Sequence, residues 1–127
     1  MTRLLDTHLL LWAAYAPERL SETARSEIEG ASRVWFSAAS IWEVAIKAAL
    51  GRSDFPVDPR TLRRGLLDNG YAELAISAAH GAATIDLPPL HRDPFDRMLV
   101  AQSRMEGIIL LTNDRTVAAY GPPAKLV

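Results

Sequence analysis

Cysteine is absent from the 127 residues. That excludes disulfides, thiolate zinc sites and cysteine nucleophiles, and it restricts any bound metal to oxygen or imidazole donors. An excess of one charge is also missing: 14 Lys and Arg face 15 Asp and Glu. A surface that coats nucleic acid draws its strength from many phosphate contacts, so a uniformly basic binder is excluded, although a local basic rim is not. No apolar run approaches the roughly 20 residues of a transmembrane helix. The N-terminus imitates an export signal, with Arg3, an apolar run from Leu4 and Ala14-Tyr15-Ala16 in the pattern of a cleavage site. Asp6 and His8 interrupt it, and a carboxylate is costly in that setting. The chain is accordingly read as cytoplasmic, with no membrane association. There is no G-x-x-x-x-G-K-[ST], no G-x-G-x-x-G and no G-x-S-x-G, which argues against nucleotide-driven, dinucleotide and serine-hydrolase chemistry. What is present, 49% hydrophobic and 23% charged residues, is ordinary globular composition. It suits a single domain over 1–127, with no repeat or linker.

Helix and strand signals alternate along the chain. Arg3 to Asp6 reads as a short strand ending in an acid, and Thr7 to Tyr15 carries Leu9, Leu10, Trp12 and Ala13 at helical spacing. Pro17 stops this helix, Ser21 caps a second that runs to Glu29, and Gly30 suits the position just past its end. Val34 to Phe36 is β-branched and aromatic, a strand. Ser37 or Ser40 caps a helix through Leu50, with Gly51 where a left-handed terminating residue belongs. Asp58-Pro59 opens a helix of about ten residues that Asn69-Gly70 closes. Tyr71 to Ile76 is a third strand, Ser77 starts another helix, and Asp93-Pro94 opens a strongly amphipathic one closed by Gly107. Ile108 to Leu111 reads as a buried strand, Thr116 to Tyr120 as a short helix and Leu126-Val127 as an edge strand. The irregular Arg52 to Val57 is a loop. Strands alternating with helices imply an α/β fold, a parallel sheet covered on both faces, with ligands outside the carboxyl ends of its strands.

Four acids invite chemistry, and each has a plainer reading. Asp6 ends the first strand and Asp114 follows the strand Ile108 to Leu111, so a parallel sheet puts both at one edge. Asp6 is equally a helix N-cap, and Asn113-Asp114 an Asx turn. Asp96 lies in the first turn of its helix and, with Asp93, makes an acidic start that suits the helix dipole. Because that helix feeds the strand after Gly107, its start is expected at the opposite edge, away from Asp6, unless an irregular Pro88 to Arg92 approach carries it across. Glu43 stands among Ile41, Trp42, Val44, Ala45 and Ile46 in a helix apolar on most of its circumference. A surface pair with Lys47, four residues on, would explain it for a few tenths of a kcal/mol. A buried carboxylate there would instead need a cation or a proton. Carboxylates without cysteine or a histidine ligand spacing favour magnesium or manganese before zinc. His8 and His91 flank site acids and are read first as solvent-exposed, second as contacts to the site or substrate. Lys47, Arg52, Arg60, Arg63, Arg64, Arg92 and Arg97 are candidates for phosphate contacts, most being solvated helix faces. Two or more of Trp12, Trp35 and Trp42 are expected in the core, and an apolar groove for a partner helix is the other use for them.

Four segments in order, Leu-Leu-Asp6-Thr-His-Leu-Leu-Leu-Trp, Ser-Ala-Ala-Ser-Ile-Trp-Glu43-Val-Ala-Ile-Lys, His-Arg-Asp-Pro-Phe-Asp96-Arg-Met-Leu-Val-Ala-Gln and Leu-Thr-Asn-Asp114-Arg, together resemble VapC-type PIN-domain toxins. The resemblance implies a PIN-like three-layer sandwich, a central parallel sheet flanked by helices. It also implies that Asp6, Glu43, Asp96 and Asp114 converge as catalytic metal ligands for Mg2+ or Mn2+. The implied activity is a ribonuclease toxin of a type II toxin-antitoxin system, often a homodimer and neutralised by a VapB-like antitoxin. The loop Gly51, Arg52, Ser53, Asp54 departs from the Gly-Lys-Leu of this subgroup, which touches local substrate or antitoxin contacts, not the pocket. A PIN-like module that binds RNA or protein without cutting it is the alternative. An aspartate-based phosphatase is disfavoured because His8 replaces the second aspartate expected two residues after Asp6.

Overall fold

In the computed structural model, residues 1–52 and 56–127 are described; Ser53 and Asp54, part of the loop noted above, lie outside them. The first strand, β1 (Thr2–Leu5), is four residues long and pairs in parallel on both sides, with β2 (Arg33–Ser37) and with β4 (Ile109–Thr112). β3 (Ala72–Leu74) adds outside β2 and β5 (Ala124–Leu126) outside β4, giving the parallel order β3-β2-β1-β4-β5. Successive strand residues point to opposite faces, so the two faces separate residue by residue. Leu5, Val34, Phe36 and Leu111 bury with Leu9, Leu10, Val44, Leu62 and Leu66, while Leu4, Leu110 and Ala124 bury with Leu99, Val100 and Val117. Each leucine fully removed from water in these layers is worth about 2–3 kcal/mol.

The first layer comprises α1 (Thr7–Tyr15), α3 (Ala38–Ala49) and α4 (Pro59–Asp68), with α2 (Glu22–Gly30) contributing Ile28 at its margin. The other face carries α6 (Pro94–Glu106) and α7 (Arg115–Ala118), with α5 (Ala78–Ala83) packed on α6. This is the three-layer α/β sandwich expected. Among the described residues no helix is long and apolar enough to cross a membrane.

Differences from the sequence reading are local. Gly30 is the last residue of α2, not the one past it, and Ser37 rather than Ser40 caps α3. Single 3-10 turns, Pro17–Arg19 and Thr84–Asp86, extend helix ends, and the last strand begins two residues before Leu126. Gly51, Gly70 and Gly107 do take the left-handed conformation their positions require.

The larger correction concerns Asp96. A helix that returns the chain to the start of a parallel strand runs against the strands, so its C-terminus lies at their amino edge and its N-terminus at their carboxyl edge. α6 therefore begins on the same edge as Asp6, and no irregular approach is needed. The chain leaves β1 toward β2 and β3, and comes back to pair β4 on the other side of β1. That reversal opens a crevice at the carboxyl ends of β1 and β4, where open α/β sheets bind their ligands.

Candidate metal centre

Asp6 is the residue immediately after β1 and holds the crevice together. Its backbone N–H donates to Leu111 O at 3.0 Å across to β4. Its Oδ1 accepts from Leu9 N at 2.9 Å, capping α1, and its Oδ2 accepts from the Thr112 hydroxyl at 2.6 Å. Capping is thus a real role of this residue, which is only 3% exposed. Burial raises its pKa above the usual aspartate range, against the opposing pull of Thr112, the Leu9 N–H, the charge of His8 and the Asn113 N–H.

Thr112 serves both neighbours, since the same hydroxyl oxygen accepts from Asp114 N at 3.0 Å. Asp114 caps α7 with Oδ1, accepting from Thr116 N at 2.8 Å, which leaves Oδ2 turned elsewhere. Asp93 caps α6 in the same way, accepting from Phe95 N at 2.8 Å and Asp96 N at 3.3 Å. The capping work at that helix start is therefore done by Asp93, and Asp96 is spared for the crevice. Asp96 lies within electrostatic reach of Asp6 and Glu43. Burial first, then the negative charges of Asp93, Glu43 and Asp6, push its carboxyl up to about 7, with His91 pulling the other way.

Glu43 is 3% exposed. The pair with Lys47 exists, Nζ to Oε2 at 2.6 Å, but it is no surface pair: the glutamate end is buried and only the lysine reaches solvent. Its Oε1 is buried with no hydrogen-bond partner. Burial works to lower the Lys47 pKa, but the hydrogen bond and charge of Glu43 and the charges of Asp93 and Asp96 leave it raised. One ammonium thus faces Glu43, Asp93 and Asp96, too little positive charge for the site.

His91 is not the solvated side chain the sequence suggested. Its backbone N–H donates to the Tyr120 hydroxyl at 3.1 Å, and its Nε2 stands 2.9 Å from Asp96 Oδ2 and 3.5 Å from Asp114 Oδ2. Neither approach has the alignment of a hydrogen bond, so Nε2 is close to two carboxylates while formally unpartnered. Among the described residues His91, Asp96 and Asp114 form the set whose ligand atoms all lie within 4.8 Å of one another. Asp6 and Glu43 stand deeper and are not part of that set.

His8 is exposed as expected, and His80 is buried away from the site against Ser77 and Glu106. Trp12 and Trp35 pack partly against the two core layers, whereas Trp42 is 60% exposed and meets Phe95 edge-on. Two of the arginines considered for phosphate are occupied. Arg63 grips Glu73 through two bonds of 2.7 and 2.8 Å, and Arg97 fastens the 84–91 segment through Thr84 O, Pro88 O and Tyr120 Oη. Arg52, Arg60, Arg64 and Arg92 are exposed, Arg92 directly beside His91. A hollow of about 480 Å³ between α1 and α4, lined by Ala13, Tyr15, Leu62, Leu66 and Tyr71 among others, contains none of the acids.

Thr112, Tyr120 and the Thr7–Ser40 hydroxyl pair at 2.9 Å were not singled out from the sequence. Only Thr112 left a trace there, as the residue that opens Thr-Asn-Asp. The donor set fits a hard divalent cation: carboxylate oxygens, one imidazole, an unpartnered buried Glu43 oxygen and an Asp96 carboxyl that ionises only reluctantly without a positive charge nearby.

The model of the PIN domain matches residues 3–121. Ribonuclease VapC22 of Mycobacterium tuberculosis is 29% identical over 123 residues, covering 96% of this chain and 94% of that protein. Among solved structures, VapBC2 from Rickettsia felis bound to a promoter DNA fragment superposes with a TM-score of 0.68 at 14% identity, covering 100% of this chain and 98% of that one. A toxin-antitoxin complex from Klebsiella pneumoniae gives 0.65 at 17% identity, covering 95% and 93% of the respective chains. At such identities the two structures speak for the fold.

Proposed function

The chain belongs to the PIN-domain family, and from that premise we propose that it is a divalent-metal-dependent ribonuclease toxin, held in check by a VapB-like antitoxin. The observation that carries the reading is the crevice itself. Asp6, Glu43, Asp96 and Asp114 stand at one sheet edge, with a buried Glu43 oxygen that lacks a partner and an Asp96 carboxyl at about 7. The similarity to a named VapC ribonuclease over 96% of the chain supports RNA as substrate, and the likeness to toxin-antitoxin complexes supports the partner.

Asp6, Glu43, Asp96 and Asp114 would hold Mg2+ or Mn2+. When bound, such an ion polarises a phosphodiester, lowers the pKa of a water nucleophile and offsets charge on the leaving oxygen. The protein's own residues set the conditions for this. Thr112 fixes the Asp6 carboxylate and, through Asp114 N–H, the turn that carries Asp114. Lys47 holds one oxygen of Glu43 and leaves the other turned inward. Burial keeps Asp6 and Glu43 dry, so their charges act at low effective dielectric. The exposed Arg92, beside the site, offers a cation to the RNA backbone outside the acid cluster, which by itself repels phosphate. Homodimer formation and action in the cytoplasm complete the proposal.

Incubating the purified chain with total RNA and mapping the cut ends tests it. Cleavage should stop in EDTA, return with added Mn2+ or Mg2+, and disappear in folded Asp6→Asn and Asp96→Asn variants. Undiminished cleavage in EDTA, or wild-type turnover by either variant, would refute the assignment. RNA binding without cleavage in any metal would leave a binding module in its place.

A further inference from the structure

The carboxylates do not exhaust the donors at this edge. Three atoms, His91 Nε2, an oxygen of Asp96 and one of Asp114, lie within 4.8 Å of one another, and the histidine nitrogen is 2.9 Å from Asp96 Oδ2 and 3.5 Å from Asp114 Oδ2. For an octahedral ion with bonds of about 2.1 Å, neighbouring ligand atoms stand about 3.0 Å apart. The nitrogen and the Asp96 oxygen are thus spaced like two adjacent ligands of one ion. A hydrogen bond would account for the same distance, but the alignment it needs is missing and Nε2 is buried without a partner.

The imidazole is also held where a ligand would have to be. The His91 backbone is tied to Tyr120 Oη, and Tyr120 in turn receives Arg97 of α6, so the histidine moves with the helix that carries Asp96. The other ring nitrogen, Nδ1, faces Asp93 N at 3.4 Å. That contact is at the long limit of a hydrogen bond. Moving the ring proton from Nε2 to Nδ1, as ligation through Nε2 demands, therefore gives up one weak interaction.

We infer that His91 is a direct nitrogen ligand of the divalent ion, which it shares with Asp96 and Asp114, making the centre a mixed nitrogen and oxygen site rather than an all-carboxylate one. Carboxylate, carbonyl and water oxygens suit Mg2+, whereas an imidazole favours first-row transition ions. Mn2+ is the member of that group that also accepts a carboxylate-rich shell, so the chain should prefer Mn2+ to Mg2+. The inference rests on the proposed metal-dependent function.

Pulsed EPR of the Mn2+-loaded protein tests it without reference to activity. Wild type is expected to show nitrogen-14 modulation from a bound imidazole, changing to the nitrogen-15 pattern when only histidine is labelled. His91→Asn is expected to lose the modulation, and its preference for Mn2+ over Mg2+ in a competition titration should fall roughly tenfold. Mn2+ bound stoichiometrically with no nitrogen coupling in wild type overturns the inference and leaves the metal-dependent nuclease standing. Absence of any Mn2+ binding overturns both. A His8→Asn variant is expected to keep the modulation, which assigns it to His91 even where His91→Asn fails to fold, and its loss in His8→Asn overturns the inference.

Discussion

Asp96 shows at the residue scale what the crevice demands. Its carboxyl sits at about 7 instead of 3.8, chiefly through burial and then through Asp93, Glu43 and Asp6. A carboxyl whose folded pKa is raised binds a proton that the unfolded chain has already released between pH 4 and 7. Metal-free stability therefore falls as pH rises through that window, and this contribution is unchanged below it. Asp6 is raised by burial as well and acts with the same sign. In chelator-treated protein, Asp96→Asn should match wild type near pH 4 and melt roughly 5 °C higher at pH 7.5, a figure already reduced for the residue's partial exposure. Thermal unfolding at the two pH values measures it, and a variant no more stable than wild type at pH 7.5 would show that the carboxyl is not under charge stress.

The seven helices described all begin on Asp or Ser: Asp6, Ser21, Ser37, Asp58, Ser77, Asp93 and Asp114. This regularity is why the helix starts were readable, since a cap bonds to a backbone N–H two or three residues away and needs nothing distant. It is also why capping alone could not identify site acids. Asp6 and Asp114 are caps and also line the crevice, while Asp58 caps α4 and takes no part in it. At α6 the labour is divided, Asp93 capping the helix and Asp96 turned to the crevice beside His91. Asp93→Asn, which keeps a good cap but removes a charge, should preserve stability and lower the Asp96 pKa, whereas Asp93→Ala should lose about 1 kcal/mol. Denaturant unfolding, with NMR titration of the Asp96 carboxyl, separates the two effects. An unchanged Asp96 titration in Asp93→Asn would contradict the coupling.

For the whole molecule the consequence is that the functional edge is assembled against the stability of the fold. Charges gathered from the end of β1, α3, α6 and the β4–α7 turn repel one another, and the proposed cation, bound only by the folded state, would offset that repulsion. At a hundredfold excess over its dissociation constant such an ion adds about 2.7 kcal/mol. Added Mn2+ should therefore raise the Tm by several degrees and EDTA should reverse it. A Tm indifferent to millimolar Mn2+ would mean that the folded protein has no site for the ion.

What the chain determined by itself is everything set by near neighbours. That covers strand and helix order, caps, left-handed glycines, and the anomaly of Glu43 in an apolar helix, whose need for a counter-charge was legible before any contact was known. Resemblance across four segments supplied the set of acids that composition and spacing left ambiguous. Only the tertiary structure decided which of them meet. The edge on which Asp96 falls already follows from the parallel α/β order, because a crossover helix feeding a parallel strand starts at the carboxyl edge. The Asp6–Thr112 bond, by contrast, spans 106 residues, which no local pattern records. The same holds for His91, a residue with no distinguishing pattern around it, whose nitrogen reaches Asp96 and Asp114 because Tyr120 and Arg97 fix the segment that carries it. Capping is a short-range interaction and clustering a long-range one; for Asp6 and Asp114 the parallel sheet already implied a shared edge, and the structure adds the Thr112 hydroxyl that bonds to both.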